Sequence, residues 1–170
     1  MYKKFGQFID GKWQPSEKKE TYEVINPANE EIIGHASKAT PVDVDKALKS
    51  AEKGLEVWKK TPPWKRSSII RKIADLIRAK QDVLAKWLTL EVGKPFTEGK
   101  GEVGATADIF EWNSEETKRI YGQTVESRFE DTRVHIYYQP VGVVAALVPW
   151  NFPLVLAARK ISTALAAGCS

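Results

Sequence analysis

Cysteine is nearly missing from this chain: one residue, Cys169, in 170. No disulfide framework can form within it, and a reducing compartment is the natural setting. Long apolar runs are missing too. No segment approaches the ~20 residues of a membrane span. The opening MYKKFGQFIDGKW carries positive charge but no apolar stretch of signal length. A cytoplasmic protein without a membrane partner is expected. Histidine is scarce: His35 and His135 each stand apart from any cysteine or carboxylate cluster, and neither makes a metal site. Blocks of one charge sign are absent. The net charge is only +4, so a nucleic-acid partner is not expected.

What is present suits a folded domain. Apolar residues make up 42%, with six tryptophans, which is enough for a core. Residues 7–36 alternate and turn often. Asp10-Gly11 between Phe8-Ile9 and Lys12-Trp13 predicts a hairpin with a type I′ turn. Tyr22–Ile25 and Glu31–Ser37 read as strands around the turn Asn26-Pro27-Ala28-Asn29. Thr40-Pro41-Val42-Asp43 predicts a capped helix running to about Lys59. A second helix begins at Thr61-Pro62-Pro63 and stops at Gly93-Lys94-Pro95. Its apolar residues, Ile69 to Leu88, recur largely at helical spacing. Lys65, Arg66, Arg71, Lys72, Arg78 and Lys80 fall mostly on a basic side, read as a solvated face. A third helix is predicted from Phe96 to Tyr121, closed by Gly122. Residues 124–139 then form a hairpin whose amphipathic strands have no partner in view.

The last 31 residues, PVGVVAALVPWNFPLVLAARKISTALAAGCS, are the most informative. Val141–Val148 is apolar apart from Gly142, which predicts a strand buried on both faces of a parallel sheet. Pro149 ends it. Phe152-Pro153 opens a helix and Gly168 stops it. Trp150 and Asn151 then lie at the carboxyl end of a buried strand, where ligands bind in open α/β sheets. A parallel strand needs a parallel return strand. None follows this helix, so the chain is expected to be the front of a longer protein, or a truncated product.

Several motifs invite chemistry. Gly99-Lys100-Gly101-Glu102-Val103-Gly104 matches GxGxxG, but no strand fits before it. The dinucleotide fingerprint needs that strand, so the glycines are read as allowing close helix packing. Cys169 follows a helix C-terminus, where the dipole disfavours a thiolate, and is read as a small buried residue. Asn151 has two readings. It could satisfy free amides at a helix start. It could equally aim its side-chain amide at a developing oxyanion.

Pro149-Trp150-Asn151-Phe152-Pro153, set between PVGVVAALV and ARK…ALAAGC, resembles the aldehyde dehydrogenase superfamily. Phe8-Ile9-Asp10-Gly11-Lys12-Trp13, Asn26-Pro27-Ala28 and Glu91-Val92-Gly93-Lys94-Pro95 are similar to its early landmarks, in the same order. The resemblance implies an α/β fold: the N-terminal part of the aldehyde dehydrogenase fold, with short strands, long helices, an oligomerisation hairpin and the first strand and helix of a Rossmann-like parallel sheet. Residues 1–122 would belong to the cofactor-binding domain, 123–140 to the hairpin and 141–170 to the Rossmann-like core. The implied activity is oxidation of a small-molecule aldehyde to the acid with NAD or NADP, through a cysteine thiohemiacetal. Asn151 matches the oxyanion donor. Val148, Pro149, Trp150 and Asn151 match positions at the cofactor, and Phe152 a wall of the aldehyde tunnel. The hairpin matches the arm that builds homodimers and homotetramers.

In that family the nucleophilic cysteine, the general-base glutamate, the ribose-binding lysine and the glycine-containing cofactor loop all lie beyond the position of Ser170. Cys169 matches a structural position. The chain alone is therefore expected to be inactive. Arg159 matches an arginine that holds the substrate carboxylate in relatives acting on succinate semialdehyde, and Glu116–Gly122 is similar to that subgroup. Arg159-Lys160 is also common across the superfamily, where it packs. The alternative to an enzyme is a non-catalytic oligomerisation or interaction module.

Overall fold

A computed structural model describes residues 6–170. The first five residues of the expected 1–122 unit lie outside the described ones. Two short antiparallel hairpins come first. β1 (Gln7–Ile9) pairs with β2 (Lys12–Gln14), and β3 (Thr21–Ile25) with β4 (Ile32–Ser37). Asp10 and Gly11 both take positive φ, 54° and 74°, as the type I′ turn demands. Five helices follow, and a third hairpin stands between the fourth and the fifth.

α1 (Pro41–Trp58) starts on the predicted signal. Thr40 and Asp43 form a full capping box, in which each side chain takes the other's backbone amide. Asp43 also accepts from Glu17 N at 3.1 Å, which ties the preceding loop to the helix. These bonds, the Thr40 amide foremost, hold the Asp43 carboxyl below the ordinary aspartate value.

The single helix expected from Pro63 to Gly93 is two. α2 (Pro63–Ala79) and α3 (Gln81–Val92) break at Lys80, whose φ of −112° and ψ of 17° leave the helical region. The apolar positions lapse after Ile77 and resume at Val83 and Leu84, so the two halves can bury different faces. α2 packs in the main core with Ile70, Ala74, Phe110, Ala158 and Ala166. α3 packs in a second cluster of Ala85, Leu88 and Val103. α4 (Phe96–Glu116) contributes to both, through Phe110 and Val103. It stops short of Tyr121, passing into a 3₁₀ turn at Thr117–Arg119.

The GxGxxG stretch lies wholly inside α4, as the reading against a phosphate loop requires. A Cβ on Gly99 would meet Ala85 O at 3.0 Å, so this glycine does permit close approach of α4 to α3. Gly101 has open space and Gly104 only ordinary contact, so the packing reason holds for one of the three.

The basic face of α2 is only partly a solvated face. Arg71 pairs with Glu111 at 2.9 Å and Glu115 at 3.5 Å; Arg78 pairs with Asp108 at 2.7 Å and also with Glu111. These contacts lace α2 to α4. The bonds to Asp108 and Glu111 raise the Arg78 pKa. Arg66 is buried, and burial lowers its pKa.

β5 (Gln123–Glu126) and β6 (Arg133–Ile136) form the expected hairpin, with Val125 opposite Val134. Every residue of both strands is exposed. Phe129 lies in the connecting loop, and Tyr138 lies past the end of β6.

The largest departure is at Val141–Val148. This segment does not form a strand buried on both faces; Val141 is 90% and Leu147 84% exposed. Its backbone finds one partner. Ser170 N donates to Gly142 O at 3.3 Å, and Val144 N donates to Ser170 O at 2.8 Å. That pair of bonds is the pattern of a parallel ladder. The crossover geometry is therefore present, but no sheet covers the apolar faces among the described residues.

Candidate active site

α5 (Pro153–Ala167) carries the candidate site at its start. Val155, Ala158, Ser162 and Ala166 recur at helical spacing and form its buried stripe. Its two ends are held differently. At the C-terminal end, Trp58 Nε1 donates to Leu165 O at 2.9 Å, and Arg66 reaches Ala166 O at 3.4 Å. A cation there complements the helix dipole. Gly168 closes the turn, and Cys169 is buried after it, as expected.

The N-terminal end has no cap of the usual kind. Phe152 occupies the cap position and makes no side-chain cap bond. The free amides of Leu154 and Val155 go instead to Glu102 Oε1, at 3.0 and 3.3 Å. Asn151 is thus not the residue that satisfies these amides. The Glu102 side chain is only 1% exposed. Its second oxygen contacts Lys94 Nζ. Lys94 Nζ also donates to Asn151 O at 3.0 Å and stands 4.2 Å from the centre of the Phe152 ring. A carboxylate at a helix N-terminus is favoured by the dipole, and its buried charge is compensated by Lys94.

Lys94 and Glu102 are the residues that sequence reasoning passed over. The signal was available. Gly99, Glu102, Val103, Thr106, Ala107 and Phe110 repeat at helical spacing and form the buried stripe of α4. A carboxylate on such a stripe requires a partner.

The expected site residues fall as follows. Val148, Pro149, Trp150, Asn151 and Phe152 are contiguous and all exposed, leading into α5. Trp150 is 79% exposed. Arg159 is on the exposed side of α5, about 9 Å along the axis from Pro153. No contact joins Arg159 to Asn151 among those the structure records. Among the described residues, no three of His, Cys, Asp and Glu gather as a metal site, and no helix is long and apolar enough to cross a membrane.

The aldehyde dehydrogenase family model matches residues 13–170. The chain belongs to the aldehyde dehydrogenase family. It is 42% identical over 161 residues to succinate semialdehyde dehydrogenase of Acinetobacter baylyi, covering 95% of this chain and 33% of that protein. It is 41% identical over 163 residues to glutarate-semialdehyde dehydrogenase of Pseudomonas aeruginosa, covering 96% of this chain and 34% of that one. The crystal structure of an NADP-dependent enzyme of Escherichia coli superposes with a TM-score of 0.96 at 39% identity, covering 98% of this chain and 35% of that one. The chain thus spans about a third of the length of the relatives it matches. The fold expected from the resemblance, the N-terminal part of an aldehyde dehydrogenase, is the fold observed.

Proposed function

We propose that this chain acts as the front third of an NAD- or NADP-dependent aldehyde dehydrogenase whose substrate is a semialdehyde carrying a carboxylate. The single observation that carries the reading is the exposed run Val148–Phe152, seated on the anchored start of α5. Supporting it are relatives named for succinate and glutarate semialdehydes.

Residues of this chain take five roles. Val148, Pro149 and Trp150 present exposed apolar surface at the carboxyl end of the extended run. That edge suits a dinucleotide, and these residues hold one side of it, together with Asn151. The bound nicotinamide supplies a hydride acceptor. Attack by a cysteine thiolate from outside these residues puts negative charge on the aldehyde oxygen, and the Asn151 amide donates to it. Phe152 forms a wall for the aldehyde. Arg159 takes the remote carboxylate, to which a guanidinium can donate two parallel bonds. The exposed β5–β6 hairpin joins copies into a homodimer or homotetramer. The lone buried cysteine fits a reducing, cytoplasmic setting.

The test measures reduced-nicotinamide formation by the enzyme of family length that contains this segment, with carboxylated and uncharged aldehydes. Arg159→Ala should raise KM for succinate semialdehyde about tenfold or more, the loss of one charge-assisted contact, and spare uncharged aldehydes. Equal effects on both classes remove the carboxylate clamp. No turnover of any aldehyde removes the reading. A second reading, a non-catalytic interaction module, is favoured by the bare hairpin alone.

A further inference from the structure

Phe152 makes no side-chain cap bond, and Asn151 does not take the free amides of α5, so some other group must fix the loop that carries Asn151. From the geometry we infer that Lys94 and Glu102 are positioning residues for the oxyanion donor: one buried ion pair that pins both sides of Asn151–Val155. This rests on the reading of Asn151 given above.

The pair grips the loop from two directions. Glu102 Oε1 takes the amides of Leu154 and Val155, which fixes where α5 begins. Lys94 Nζ donates to the backbone carbonyl of Asn151 and lies against the Phe152 ring, which fixes the turn before it. Asn151 as a residue is exposed, and its side chain makes no hydrogen bond among the described residues. Its backbone is therefore fixed while its amide stays available.

Glu102 is carried by α4, and Lys94 by the short link between α3 and α4. Glu102 sits about two turns into α4, and Gly99, one turn earlier, lets α4 lie close to α3. Lys94 follows Gly93, the left-handed cap that ends α3 with a φ of 77°. The pair's side chains are 10% and 1% exposed, so water competes little for them. A solvated ion pair would contribute little and hold nothing in place. A buried pair with further hydrogen bonds to the same loop fixes geometry, because losing either partner leaves a charge unpaired in the interior. Misplacing a donor by about 1 Å can lower turnover by roughly 100-fold.

The experiment is a double-mutant cycle in the enzyme of family length, with Glu102→Ala, Asn151→Ala and both together. Glu102→Ala should lower kcat roughly 10- to 100-fold with cofactor KM little changed. In the Asn151→Ala background the same change should add less than about twofold, because a misplaced donor matters only while the donor exists. Lys94→Met should behave like Glu102→Ala, and Lys94→Arg should restore most of the activity. Glu102→Gln keeps an acceptor for Leu154 and Val155 and loses only the charge. It serves if the alanine variant does not fold, and should fall between the parent and Glu102→Ala.

Amide exchange gives a readout independent of turnover. Exchange at Leu154 and Val155 should rise in Glu102→Ala while Ala107 stays protected. An unchanged kcat in Glu102→Ala, or a full multiplicative loss on top of Asn151→Ala, overturns the inference. An unchanged kcat in Asn151→Ala overturns the underlying reading instead. Amide exchange then still decides whether the pair holds the loop.

Discussion

Two neighbouring apolar segments meet opposite fates. α5 buries Ala158 and Ala166 against α2 and α4. The run just before it, Val141–Val148, leaves Val141 and Leu147 almost fully exposed. The difference is one of backbone accounting. A helix satisfies its own hydrogen bonds and needs a neighbour along one stripe only. A central strand needs partners on two edges and cover on two faces. α5 finds its stripe within these residues, while the run finds a single parallel bridge at Ser170.

The contrast can be strained at its strong side first. Ile70 is fully buried where α2, α4 and α5 meet, and Ile70→Ala should cost about 2–5 kcal/mol in urea unfolding of the chain. A loss below about 1 kcal/mol would mean that this core does not carry the fold. Trp58→Phe tests the C-terminal hold on α5. It removes the donor to Leu165 O, which still accepts from Gly168 N, so the loss should be about 1 kcal/mol. A neutral result would show that the contact adds nothing to the fold. The weakest effect belongs to the bare run. Leu147→Ser should change stability by no more than about 0.5 kcal/mol. A cost near that of Ile70→Ala would show that the run is packed in solution and would break the contrast.

Much of this fold was legible because its signals are local. The Thr40–Asp43 capping box, the Asp10-Gly11 turn and the Gly93 and Gly168 stops were all read correctly. The break at Lys80 was missed because neither Gly nor Pro marks it; only the lapse in apolar spacing after Ile77 does. Val141–Val148 stays bare here because an apolar run reports what a segment needs, not what lies beside it within these residues. At the site, the contiguous residues Val148–Phe152 stood out as a motif. Glu102 and Lys94 did not, because they meet Leu154 and Asn151 only when α4 and the link before it pack against the start of α5. Glu102 was further hidden inside a glycine pattern that pointed to another chemistry.

The contrast also bears on function. A helix that is finished within these residues can present a loop in a fixed position, and Asn151 is on that loop. The most direct test of the account is the steady-state kinetics of Asn151→Ala in the enzyme of family length. The account predicts that kcat falls roughly 10²–10³-fold, the usual loss for an oxyanion donor, while KM for NAD or NADP changes little. A kcat equal to that of the parent would contradict it.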